Sequence, residues 1–441
     1  MTSNPLINLR TFLFGRVFGI ERYEYVAVAW SFAYFFCVLS SYYILRAARD
    51  MFAVVSGPDT IPYLFLATFI VMMTVATPVF GWVASRYPRR QFLPWVYLFF
   101  IANILIFWTV FGYLLEEQRN NIWIGRAFVV WLSIFNLSVV SVFWSFMADI
   151  FTREQGRRLF GFISAGGSIG ALLGSVATSL IVVRIGTHNL FLISAGLLTI
   201  AVFCIRQLRK WIIAEHEGTG IQTVESDKPL GGSALAGITH LKGSKYFMGI
   251  AVSSVIASLL GTALYMFAAQ MVETSIPEPD YQTKFYANIN VLSNTFALIG
   301  QIFLVRHVVH RMGIGASLSL LPLVSVAGFI LLAIDPVLAV VAFLTWARRG
   351  LGFSFSKPST DMLYSVVTPE EKYKTKNFID TAIYRFGDVV GSFSIKFLLP
   401  LGISSVSLIM LPFAVMWAGI SFWLGRDYRR QAKALKESGV S

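Results

Sequence analysis

Apolar runs of about 20 residues recur along the chain, separated by short polar turns. In order, they fall roughly at 25–52, 61–84, 92–115, 122–149, 159–183, 188–208, 246–272, 284–306, 314–334, 336–357, 377–399 and 403–425. At a rise of 1.5 Å per residue, 20 helical residues span about 30 Å, the thickness of a bilayer's hydrocarbon core. Backbone groups in lipid must find partners within their own segment, so the element this pattern predicts is the helix. The expectation is an all-α polytopic membrane protein with twelve transmembrane helices. The longest hydrophilic stretch, 209–245, divides the runs six and six. The expected organisation is a cytoplasmic interfacial segment at 1–24, a six-helix bundle at 25–208, a cytoplasmic linker at 209–245, a second six-helix bundle at 246–425 and a cytoplasmic tail at 426–441.

Charge sets the orientation. Only 13% of the 441 residues are charged and 56% are hydrophobic, whereas soluble chains carry about 25% charged residues. Arg and Lys gather in alternate loops: Arg86, Arg89 and Arg90, then Arg153, Arg157 and Arg158, then Arg206, Arg209 and Lys210, and later Lys372, Lys374 and Lys376. The intervening loops hold few, chiefly Arg119, Arg184 and Lys284. Both termini are therefore expected on the cytoplasmic side of a cell (inner) membrane. The net charge of +13 follows from this asymmetry and calls for no nucleic-acid partner. No signal peptide is expected, and residues 6–22 read instead as an interfacial helix, with Phe12, Phe14 and Phe18 among Arg10, Arg16 and Arg22. Cys37 and Cys204 each sit alone in an apolar run, the five histidines have no metal-ligand spacing, and no phosphate-binding Gly-Lys loop occurs. No cofactor, metal or enzymatic centre is expected.

Ionisable residues inside the runs are the candidates for function, because each costs at least ~2.5–3.5 kcal/mol at mid-bilayer unless it faces protein, water or a partner. The richest stretch is FIDTAIYRFGDVVGSF, Phe378 to Phe393, with Asp380, Tyr384, Arg385 and Asp388. Counting from Lys376, Asp388 lies roughly 18 Å deep. Arg385 and Asp388 stand three apart on one helix face and can pair. This reads either as a solute or proton site or as a structural ion pair. The first run ends in SSYYILRAARD, where Tyr42, Arg46, Arg49 and Asp50 share a face near the outer end. Cations there run against the orientation rule, which favours an anion site over an outer pair of Arg49 with Asp50. Arg348 and Arg349 lie near mid-depth; being adjacent, about 100° apart, at most one points straight into a cavity. Asn136 and Trp144 in the fourth run, and Asn290 and Asn294 with Gln301 in the eighth, add polar positions that line a cavity or bond a neighbouring helix. Gly166, Gly170 and Gly174, at four-residue spacing, read as close-packing glue.

The halves also repeat: Thr152 matches Thr368, Glu154 matches Glu370 and Phe162 matches Phe378, each at a spacing of 216. Repeated halves around a central site are a transporter's architecture.

Three stretches carry a family resemblance. The loop GWVASRYPRR, 81–90, is a partial match to the loop signature of the major facilitator superfamily, with Ser85 and Pro88 at two of its positions. YYILRAARD, VFWSFMADIFTREQGRRLF and FSKPSTDMLY through FIDTAIYRFGD resemble stretches of the nucleotide translocases of plastids and intracellular bacteria. In those carriers a lysine stands at Arg49 and another at Asp388, and a glutamate lies upstream of Phe143, where this chain has Trp131 and Leu132. The resemblance implies the major facilitator fold, two pseudo-symmetric six-helix bundles. It also implies a secondary active transporter working by alternating access; the intramembrane arginines point to a small organic anion as the solute, and the Arg385–Asp388 pair makes protons a candidate coupling ion. Tyr42, Arg46, Arg49, Asn136, Trp144, Asn290, Asn294, Arg348, Arg349, Tyr384 and Arg385 are the expected substrate contacts, with Asp50, Asp380 and Asp388 as coupling residues. ATP/ADP-type exchange, lipid or amphiphile flipping and a non-transporting scaffold are the alternatives. The expected partners are the solute and the bilayer, with the chain a monomer.

Overall fold

The computed structural model describes residues 20–86, 89–116, 122–219, 244–301, 305–367, 375–376 and 378–437. The expectations for residues 1–19, for most of the linker and for Thr368, Glu370, Lys372 and Lys374 lie outside the described residues, as do the side chains of Ser85, Pro88, Arg89 and Arg90.

The helices follow the apolar runs. They are α1 (Tyr25–Val55), α2 (Ile61–Val71, then a π-helical segment Met72–Ala76 and Thr77–Arg86), α3 (Arg89–Glu116), α4 (Ile122–Ile150), α5 (Arg153–Ile185) and α6 (Leu190–Thr219). The second set is α7 (Lys245–Ser275), α8 (Pro279–Ile299), α9 (Val305–Ile334, broken at Gly313), α10 (Leu338–Leu351, a π segment Gly352–Ser356, then Lys357–Leu363), α11 (a π segment Ile379–Ile383, then Tyr384–Leu398) and α12 (Ile403–Glu437). Among the described residues, nine helices are long and apolar enough by composition alone to cross a membrane. The three that fall short are α8, α10 and α11, which carry Asn290 and Asn294, Arg348 and Arg349, and Asp380, Arg385 and Asp388. The count covers the described residues alone, and α8 is cut where its apolar run continues past Gln301. With these three, the chain has the twelve-helix, all-α architecture of a multi-pass membrane protein.

The helices gather into two compact units. The first comprises 1–52, 70–229 and 279–288; the second comprises 53–69, 230–278 and 289–441. The first turns of α8 thus belong with α5 and α6: Thr187 donates through its amide at 2.8 Å and its hydroxyl at 2.6 Å to Asp280, and Ser179 donates to Asn288 at 2.5 Å. Likewise the start of α2 belongs with α11, where Lys396 donates to the Asp59 carbonyl at 2.9 Å and lies 4.5 Å from the Tyr63 ring centre.

In the first unit the Gly166, Gly170 and Gly174 stripe of α5 packs on α1. A Cβ at Gly166 or Gly174 would sit 2.6 or 2.7 Å from the backbone oxygen of Phe32 or Ser40, and one at Gly170 would come closer still to that of Phe36. Ser40 donates to the Gly170 carbonyl at 2.9 Å across this seam. The second unit has its own seam, in which Gly387 and Gly391 of α11 pack on α7 against Ser258 and Leu259. Gly186 and Gly402, both left-handed at φ of 79° and 86°, turn α5 into α6 and α11 into α12. They stand 216 positions apart, the spacing of the sequence repeat. Both lie well beyond the matched stretches that end at Phe162 and Phe378, so the turn geometry supports the repeat independently.

Candidate functional site

The second unit gathers four of the sequence candidates. Arg348 on α10 and Tyr384, Arg385 and Asp388 on α11 come together beside α7. Arg385 Nη1 lies 3.5 Å from Asp388 Oδ2, the i,i+3 pair expected from the spacing. Its geometry is loose, and the Arg385 side chain remains 38% exposed against 15% for Asp388. The other carboxylate oxygen, Oδ1, accepts a short hydrogen bond from Ser258 and a longer one, at 3.4 Å, from Thr262. Ser258 also donates to the Tyr384 carbonyl at 3.0 Å. Arg348 Nη2 donates to the Ala257 carbonyl at 2.5 Å, with Tyr384 and Asp388 near enough to act on its charge. The Arg348 guanidinium occupies the space left by a missing side chain: a Cβ on Gly261 would collide with Nη2. Its Nη1 is buried and has no hydrogen-bond partner among the described residues.

Arg349, one residue on, takes a different neighbour. Its Nη1 donates to Asn290 Oδ1 of α8 at 2.8 Å. The two arginines therefore diverge, one to α7 and one to α8, as the 100° helical step requires. Asn290 and Gln301 bond α10, Gln301 through the Phe353 carbonyl at 3.2 Å. Each of these two carboxamides thus makes a bond to a neighbouring helix. Asn294 is buried on the same helix. Asp380 sits apart from Asp388 and pairs with Lys357 at 2.6 Å. Lys357 also reaches Asp361 at 3.4 Å, and Asp361 is 3.0 Å from Lys376. This four-charge network ties the end of α10 to the start of α11, and Lys357 is its hub.

A second cluster lies in the first unit at the end of α1. Arg49 binds Asp50 at 2.6 Å, with Asp50 fully buried. The Arg46 guanidinium stacks over the Tyr43 ring at 5.2 Å, and Tyr42 packs edge-on against Tyr43 at 5.3 Å. The local Arg49–Asp50 pair weighed from sequence is thus present. Trp144 packs with Phe35, Phe143 and Phe160 in an aromatic cluster, and Asn136 is half-buried on α4.

Sequence reasoning passed over Ser258, Thr262, Gly261 and Lys357. The two hydroxyls stand four apart on α7, a visible spacing. Most helical Ser and Thr bond their own i−4 carbonyl, as Ser254 does to Ile250 at 2.9 Å, so spacing alone does not single them out. Gly261 carried no signal until Arg348 was placed. Arg126, stacked on Trp123 at 4.6 Å near the start of α4, was also missed; its Trp-x-x-Arg spacing was the available sign.

The arrangement holds two buried or half-buried guanidinium groups, one carboxylate and two hydroxyls on packed helices. These groups form no nucleophile–base pair, and their chemistry is recognition of charge. ADP,ATP carrier protein 2 of Chlamydia pneumoniae is 20% identical over 520 residues, covering 97% of this chain and 93% of the carrier. The nucleoside transporter NupG superposes with a TM-score of 0.59 at 16% identity, over 93% of this chain and 100% of that one. A bacterial homologue of the iron transporter ferroportin, in an inward-facing state, gives 0.64 at 11% identity over 92% and 98%. At such identities these two show the shared fold alone. The Major Facilitator Superfamily profile matches residues 25–392, the helices that build both charge clusters, and the chain belongs to that superfamily.

Proposed function

We propose that this protein is a secondary transporter that moves a small organic anion by alternating access, with both termini cytoplasmic and the monomer as the working unit. The observation that carries the reading is the gathering of two arginines around a single carboxylate beside α7: Arg385 pairs with Asp388, while Arg348 is held on the Ala257 carbonyl close enough for Asp388 to act on its charge. Arginine suits this role because its planar fork binds carboxylate or phosphate oxygens in pairs. Within the first unit, the Arg46, Arg49 and Asp50 cluster of α1 is a separate candidate anion contact. Asp388 is the candidate coupling residue: a carboxylate that alternates between an apolar and an arginine-paired setting binds and releases a proton as the carrier cycles.

Nucleotide exchange is the second reading. It is favoured by the 20% identity to the chlamydial carrier along nearly the whole chain. The aspartate at 388, where such carriers have a lysine, weighs against carrying over their substrate unchanged.

The test is thermal stabilisation of the purified protein by a panel of nucleotides, sugar phosphates, organic acids, peptides and cations. Binding raises apparent stability by RT ln(1 + [L]/Kd). Stabilisation by organic anions is expected, with uptake of the stabilising solute into proteoliposomes. Stabilisation only by cations or neutral amphiphiles refutes the reading.

A further inference from the structure

The charge that the solute carries is constrained by the charges at the α7–α11 seam. Arg348 and Arg385 bring two positive charges and Asp388 brings one negative. Asp388 is anchored independently of any ligand, because Ser258 and Thr262 of α7 hold its Oδ1 while Oδ2 faces Arg385. Arg348 is anchored through Nη2 to the Ala257 carbonyl. Its Nη1 is buried without an acceptor among the described residues, a costly condition that a ligand oxygen would relieve. Arg349 turns instead to Asn290 of α8, whose carboxamide leaves its charge intact, so the count is of the two arginines at the seam itself.

The carboxylate is not required for packing this kind of seam. In the first unit, Gly170 and Gly174 meet α1 as Gly387 and Gly391 meet α7. The residue after the first glycine is Ala171 there and Asp388 here, both shielded from solvent. A small apolar residue serves the first seam, so the charge in the second has another purpose.

We propose that Asp388 is a charge-selectivity residue: in the arginine-paired setting seen here it cancels one of the two arginines, so the site accepts a ligand group bearing a single negative charge, a carboxylate or phosphodiester, and disfavours a dianionic group such as a phosphate monoester. The inference rests on the anion reading above and narrows its substrate class. A second ligand charge would face Asp388 with no arginine left to balance it. In a partly desolvated site that repulsion changes affinity by about tenfold or more.

The experiment compares two matched probes on the full chain in detergent at about pH 8. Phenyl phosphate is a dianion there and phenyl methyl phosphate a monoanion. The wild type is expected to bind the monoanion more tightly. Asp388→Asn is expected to move the ratio of affinities toward the dianion by about tenfold or more. Arg385→Gln is expected to weaken both probes. The double variant Asp388→Asn/Arg385→Gln restores the wild-type charge count and is expected to restore the monoanion preference. An Asp388→Asn protein that binds both probes with the wild-type ratio overturns the proposal. So does a double variant that prefers the dianion, and this second test stands even where the single Asn variant does not fold. If neither probe binds the wild type, nor any other anion tested, the anion reading itself fails. If the probes bind and the ratio ignores residue 388, only the charge rule fails.

Discussion

Arg348 and Arg349 differ by one position and have unlike environments: the helical step points them apart, and a glycine makes room for the first. Gly261 leaves the space into which the Arg348 guanidinium fits. In Gly261→Ala the new methyl meets the flexible end of a side chain, so the arginine shifts and the backbone stays. The expected change in stability is within about 1 kcal/mol, with a clear loss of stabilisation by anionic ligands in the thermal panel. An unchanged ligand response would show that Arg348 does not touch the solute. Asp388 poses a different question. Asn in its place keeps an acceptor for Ser258 and Thr262, and Arg385, 38% exposed and only loosely paired at 3.5 Å, is not enclosed by protein. Asp388→Asn should therefore cost about 1–2 kcal/mol, less than the ~3–5 kcal/mol of a stranded buried ion. Denaturant or thermal unfolding in detergent measures this. A loss at the upper figure would mean that the pair is structural.

At the level of elements, the seams between α1 and α5 and between α7 and α11 set how closely the helices approach. Small residues matter here because lipid supplies no hydrophobic drive for association, and close contact must come from packing. At Gly170 a Cβ would collide with the Phe36 carbonyl oxygen, a backbone atom that cannot swing aside. Gly170→Ala should therefore force α1 and α5 apart and destabilise by about 1–3 kcal/mol, more than Gly261→Ala. The order of the two melting temperatures checks the distinction between a packing glycine and a space-making one. Two of the π segments lie in helices of the site: one precedes Lys357 in α10 and another runs into Tyr384 in α11. An extra residue per turn rotates the helix beyond it. In this way α10 presents Arg348 to α7 before the segment and Lys357 to Asp380 of α11 after it.

For the whole molecule, the topology is the property most open to direct measurement. Single cysteines at position 217, near the end of α6, and within 276–280, between α7 and α8, are expected to react with impermeant reagents from opposite sides of the membrane. Labelling of both from one side would overturn the orientation drawn from the basic loops. The native thiols do not interfere, since Cys37 and Cys204 are both buried.

The sequence by itself determined the helical class, the twelve spans and the repeat, because each is written in a period or a spacing. Lipid demands long apolar helices, and the 216-residue repeat reappears in the turns at Gly186 and Gly402. It also determined the Arg385–Asp388 pair, since i and i+3 face one another on any helix. Contacts between distant helices were beyond it. Only the tertiary structure sent Arg348 to α7 and Arg349 to α8, gave Asp380 to Lys357, and placed Ser258 and Thr262 on the Asp388 carboxylate. A helix face says which residues travel together and leaves open which neighbour they meet. That neighbour is fixed by how closely glycine lets the helices approach, and it is three-dimensional packing that turns three scattered charges and two unremarked hydroxyls into one site.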